Sequence, residues 1–98
     1  MATAFQILET PLEIPAQPGK IIKIDRLTQV ACGSLIGTKL LRIQSDSTPI
    51  FPSFLCQNIA DFSWPEHQPQ GERGKSVVIE IVGGEPLAAV WVAYRYVD

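Results

Sequence analysis

The ten residues before Asp98, Ala88 to Val97, constrain the fold of this chain more than any other stretch. Read at period two, one set is Ala88, Val90, Val92, Tyr94 and Tyr96, and the other is Ala89, Trp91, Ala93, Arg95 and Val97. Both sets are mostly apolar, and β-branched and aromatic side chains fit a pleated surface. A strand with two apolar faces needs cover on both. In a chain of 98 residues, a second sheet supplies one cover, and a neighbouring subunit is expected to supply the other. The pattern predicts a building block rather than a catalyst.

Other segments share the strand period. Ile22 and Ile24 alternate with Lys23 and Asp25, then the phase slips so that Leu27 follows Arg26. A one-residue slip flips the inward face, and a bulge near Asp25-Arg26 would absorb it. Leu41 and Ile43 alternate with Lys39, Arg42 and Gln44, and Val77, Ile79 and Ile81 alternate with Ser76 and Glu80. Gly83-Gly84 reads as a hairpin turn into the terminal strand. Ser45 to Pro49 is loop chemistry. Ile50 to Cys56, broken by Pro52, is an edge strand or a packed loop.

Asn58 to Gly74 is the longest irregular stretch, with an ordered start at Phe62 and Trp64 and an exposed tip over Glu66 to Arg73. Helix is confined to one turn around Gln57 to Phe62, because apolar residues nowhere recur at helical spacing. Pro11, Pro15 and Pro18 make residues 1–19 an extended N-terminal arm, with a short edge strand at Leu12 to Ile14 and with Phe5, Ile7 and Leu8 to bury. Residues 20–98 form a single domain. The predicted class is all-β, an antiparallel β-sandwich that is jelly-roll-like; a small SH3-like or OB barrel is the alternative.

A chain of this size buries about 65% of its unfolded surface, enough for a single core without a disulfide or metal. Charged residues are 18% of the chain against a typical quarter, so apolar surface is expected outside the core. The net charge of −2 and the scattered Lys and Arg give no footprint for nucleic acid. No run is long enough to span a membrane. The N-terminal residues lack a secretory pattern, so the protein is expected to stay in the cytoplasm where it is made. Cys32 and Cys56 are then expected as free thiols, a disulfide between them being the alternative.

Chemistry is sparse. His67 is the only histidine, in the polar run Pro65-Glu66-His67-Gln68-Pro69, and a zinc site needs more than one His or Cys at set spacing. Cys32 as a nucleophile would need a histidine base, and no pair among the ten acids is singled out for glycoside hydrolysis. Gly33 to Gly37 lacks the lysine of a phosphate loop. Trp64 with Phe62 is either a sugar-stacking platform or loop packing. No catalytic residue, cofactor or metal is expected, and a small hydrolase is a nominal third class.

Pro15-Ala16-Gln17-Pro18-Gly19-Lys20 opens into Ile21 to Leu27, and Glu85-Pro86-Leu87 precedes the closing strand Val90 to Val97. Over residues 15–44 and 75–97 this order resembles small jelly-roll structural proteins of tailed bacteriophages, such as head decoration (cement) proteins and tail or fibre modules. The resemblance implies a virion protein that stabilises a phage head from outside, with the major capsid protein or other virion proteins as partners. It carries over no catalytic residue. A homo-oligomer, with a trimer favoured, would place Phe5, Ile7, Leu8, Trp91, Tyr94 and Tyr96 at or beside its contacts. The rival readings are a tail, fibre or baseplate component and a carbohydrate-binding module using Trp64 and the acids of its loop.

Overall fold

A computed structural model describes residues 2–8, 10–31, 40–82 and 88–98. Its strands are β1 (Ala2–Ile7), β2 (Leu12–Ile14), β3 (Ile21–Ala31), β4 (Leu40–Ser45), β5 (Thr48–Leu55), β6 (Ile59–Ser63), β7 (Val77–Val82) and β8 (Ala88–Val97). They form two four-stranded sheets, β1-β8-β3-β6 and β2-β7-β4-β5, with every pairing antiparallel. The sheets pack as a sandwich around one core. The pairings nest: β1 with β8, β2 with β7, β3 with β6 and β4 with β5. Such nesting is the course of one long hairpin rolled onto itself.

The hairpin's tip is the β4–β5 turn, where Ser45 pairs with Thr48. Asp46 and Ser47 between them have φ of 49° and 66°, the two positive values of a type I′ turn, whose twist matches the flanking strands. Ser45 to Pro49, read from the sequence as a loop, is therefore a two-residue turn with Thr48 and Pro49 already in β5.

Period-two patterning decides which side chains meet between the sheets. Ile22, Ile24 and Leu27 of β3, Leu41 and Ile43 of β4, Val77 and Ile79 of β7, and Val90 and Val92 of β8 are all buried. The β3–β8 register slips between Ile24 and Arg26, so a bulge keeps Ile24 and Leu27 both inward despite their odd spacing. Two polar side chains of the described residues, Gln29 and Ser45, are buried as well. Gln29 donates to Gln57 O and accepts from Gln57 N–H, both at 2.9 Å. Ser45 donates to Ser76 O at 2.9 Å and accepts from Glu72 N–H at 3.0 Å. Each is satisfied as buried polar groups must be.

Several expectations change. The strands either side of Gly83-Gly84 do not form a hairpin: β7 lies in one sheet between β2 and β4, and β8 in the other between β1 and β3. Both edges of each strand are taken, so the two cannot pair. The residues joining them lie outside the described set. The helical turn expected around Gln57 to Phe62 is instead β6, with Ala60 and Phe62 facing inward and Ile59 and Asp61 outward. Ala and Asp are weak strand formers, which hid its period.

Residues 66–73 are mostly exposed, as expected of a tip, but from Pro69 onward their backbone is docked. Ile24 N–H donates to Pro69 O at 3.0 Å, Gly71 N–H to Ile22 O at 2.8 Å and Gly74 N–H to Lys20 O at 2.8 Å. The segment thus runs along the first half of β3, beyond the reach of β6, and Pro69 and Gly71 are buried. Of residues 1–19, set apart from the sequence as an arm, the described ones supply β1 and β2 to the chain's own sheets. Leu8, Leu12 and Ile14 sit in the shared core.

Candidate functional site

The outer face of the sheet β1-β8-β3-β6 is built from the residues that alternate with the core. Strand register aligns them in rows across all four strands. Ile7, Ala89, Val30 and Ile59 form one row, and Phe5, Trp91, Thr28 and Asp61 the next. Then come Thr3, Ala93, Arg26 and Ser63, and beyond them Arg95 beside Lys23. The face therefore grades from wholly apolar to charged along the strands. Phe5 and Ile59 are each 65% exposed, and Ile7 and Val30 are exposed beside them.

On the other sheet Leu40 pairs with Leu55 and Val82, and Leu40 and Leu55 are also exposed. All six exposed large apolar side chains of the described residues, Phe5, Ile7, Val30, Leu40, Leu55 and Ile59, thus lie toward one end. There the chain crosses between sheets four times, after β1, β3, β5 and β7, against twice at the other end, after β2 and β6. Lys20, Asp46, Glu72, Arg73, Lys75 and Asp98 lie at the opposite end, beside the β4–β5 turn or the starts of β3 and β7. Glu9, Lys39 and Glu85 lie outside the described residues.

On the charged half of the outer face opens a cleft of about 450 Å³, lined by Asp25, Arg26, Trp64, Gln68, Trp91 and Arg95 among others. Its charges are matched. Arg26 donates through Nε and Nη2 to Asp61 at 3.1 and 2.8 Å, and Thr28 Oγ1 donates to Asp61 at 2.9 Å. The bond from Arg26, helped by the one from Thr28, holds the Asp61 carboxyl below its usual range; the bond to Asp61 raises the Arg26 guanidinium in turn. Arg95 Nε lies 3.4 Å from Asp25 Oδ1, to which Gln68 Nε2 also donates at 3.2 Å. With each guanidinium facing a carboxylate, the cleft has no net positive field for an anion. Trp64 stacks on Phe62 at 5.8 Å and meets Phe51 edge-on at 5.2 Å. These rings, with Phe54, bridge edge strands β5 and β6, so one face of Trp64 is spent on packing.

Of the residues expected at a contact surface, Phe5, Ile7 and Trp91 come together on the outer face. Leu8 is buried in the core. Tyr94 and Tyr96 pack against the core as a T-shaped pair at 5.9 Å. The Tyr96 hydroxyl donates to Pro15 O at 2.6 Å, and burial, with Tyr94 beside it, pushes its pKa up. Sequence reasoning missed Val30, Leu40, Leu55 and Ile59. Each stands at a strand end beside turn-like residues, and only strand register sets it in an apolar row.

No group of three or more potential metal ligands occurs among the described residues. His67 is exposed, 3.9 Å from Glu66. Cys56 is a free, buried thiol whose pKa burial pushes up; Cys32 lies outside the described residues. No helix among the described residues is long and apolar enough to cross a membrane. Compared with known proteins, the sequence matches no family model and no curated protein.

Proposed function

We propose that the protein is a structural subunit that docks onto a larger assembly: a virion protein that decorates and stabilises a phage head, bound to the major capsid protein or another virion protein. One observation carries this reading: the exposed apolar side chains of both sheets gather at the crossover end. Exposed apolar patches mark interaction sites on soluble proteins, and here the outer face of each sheet carries one at that end. The nested eight-strand pairing supports a jelly-roll reading of the sandwich, an architecture that capsid and lectin domains use. Docking would gain about 25 cal/mol per Å2 of apolar surface buried, before the costs of association.

The test is co-sedimentation of the protein with purified heads of the phage whose genome encodes it, alongside its detection by mass spectrometry in those particles. The double variant Leu55→Lys, Ile59→Lys is expected to bind at least tenfold more weakly while keeping its β-sheet circular dichroism. Absence from the particles, or binding indifferent to both charges, overturns the reading. The cleft between Trp91 and Trp64 favours a second reading, a carbohydrate-binding module. A glycan array decides it, since binding there must be lost in Trp91→Ala.

A further inference from the structure

Among the described residues the sandwich has four edge strands, β1 and β6 on one sheet and β2 and β5 on the other. An edge exposes unpaired backbone N–H and C=O groups, and proteins block such rows with prolines, charges or short strands. Three of the edges are blocked in these ways. β5 carries Pro49 and Pro52. β2 is three residues long and lies between Pro11 and Pro15. β6 is five residues long, carries Asp61 and runs out at Pro65. β1, Ala-Thr-Ala-Phe-Gln-Ile over residues 2–7, has six residues, no proline and no charge.

The phase of β1 shows what it offers. Leu8 N–H donates to Ala88 O at 2.8 Å, continuing the register in which Ile7 faces Ala89. Residues of an antiparallel ladder turn their backbone groups alternately to either side. Gln6, Ala4 and Ala2 therefore bond to β8, and Thr3, Phe5 and Ile7 present N–H and C=O to the open edge. The same three residues carry side chains on the outer face, Phe5 being 65% exposed.

We infer that β1 is the pairing edge of a two-fold dimer, in which it lies antiparallel to β1 of a second copy, centred on Phe5. The partner's Phe5 then opposes Phe5, and the partner's Ile7 opposes Thr3. Each opposed pair exchanges two backbone bonds, about six in all, and the two sheets become one of eight strands. A neutral strand paired with itself meets no like-charge repulsion. The contact is isologous and closes after two copies. The trimer expected from the sequence would need β1 to meet a different open edge, and the other three are blocked.

This inference stands independently of any virion role, and its test needs no capsid. Light scattering on the isolated full chain is expected to show the mass doubling as concentration rises. Phe5→Lys and Phe5→Glu each set like charges opposite one another across the two-fold axis, so each alone is expected to stay monomeric. An equimolar mixture of the two is expected to recover the doubled mass. In the unaltered protein, amide exchange should slow with concentration at Thr3, Phe5 and Ile7, while Ala4 and Gln6 stay protected throughout. A monomer at the highest soluble concentration overturns the pairing. So do a dimer indifferent to either charged variant, a mixture that remains monomeric, and exchange at those three amides that ignores concentration.

Discussion

At the end where β4 turns into β5, the chain covers its own strand ends. Residues 69–74 bond along β3, and Ser45 reaches two separate backbone groups of the segment leading into β7. The Lys20 ammonium meets the Asp98 carboxylate. At the crossover end Val30, Leu40, Leu55 and Ile59 stand exposed at the ends of their strands. The same sheets run through both ends, so strand-forming tendency does not explain the difference. What differs, among the described residues, is the backbone from elsewhere in the chain that bonds along the strand ends beside the β4–β5 turn. Covered ends serve stability, whereas bare apolar ends cost solubility and suit attachment.

Variants at the covered end are expected to lower stability most. Gly71→Val is the largest, because even a Cβ there would sit 2.9 Å from Val77 Cγ2 and 3.0 Å from Ser45 Oγ. Overpacking of this kind costs about 1–3 kcal/mol, which calorimetry would read as a fall in Tm of several degrees. Ser45→Ala comes next. It strands Glu72 N–H and Ser76 O without their buried partner, at a cost of about 1–2 kcal/mol in urea unfolding. No loss in either variant would mean that the segment 69–74 is not part of the covered end.

A smaller effect should appear in acid. Hydrogen bonds from Arg26 and Thr28 hold the Asp61 pKa below its unfolded value. The resulting stability is present above the ordinary carboxylate range and is lost as pH falls through the lowered folded pKa. Asp61→Asn should therefore flatten the acid limb of a Tm-against-pH curve and leave a reduced, pH-independent difference. The smallest effect on stability belongs to the bare end. Leu55→Ser and Ile59→Ser should each change unfolding free energy by no more than about 0.5 kcal/mol while weakening attachment. A large loss of stability there would mean that the end is covered within the chain after all.

Alternation in β3, β4 and β7 showed these strands and the bulge at Asp25, because buried and solvated faces differ in composition; β8 was legible from apolar, β-forming residues on both faces. The docked course of residues 69–74 could not be read, since it rests on backbone bonds that any sequence without misplaced prolines can make. The apolar row from Ile7 through Ala89 and Val30 to Ile59 was equally hidden, because it joins four distant segments through register alone. Tyr94 and Tyr96 were placed at a contact because both faces of β8 are apolar. Alternation separates such faces without saying which one meets the second sheet.

The nested pairing bears on how the chain reaches this state. β8, the latest of the eight strands in chain order, is hydrogen-bonded between β1 and β3. Until it leaves the ribosome, the first strand has no neighbour within its sheet, and β3 has only β6. Sheets joined across such sequence distances close slowly, on the order of milliseconds to seconds, and β1 waits throughout as a neutral, unpaired strand. If β1 pairs with itself as inferred above, two unfinished copies meet through it before either has closed its own sheet.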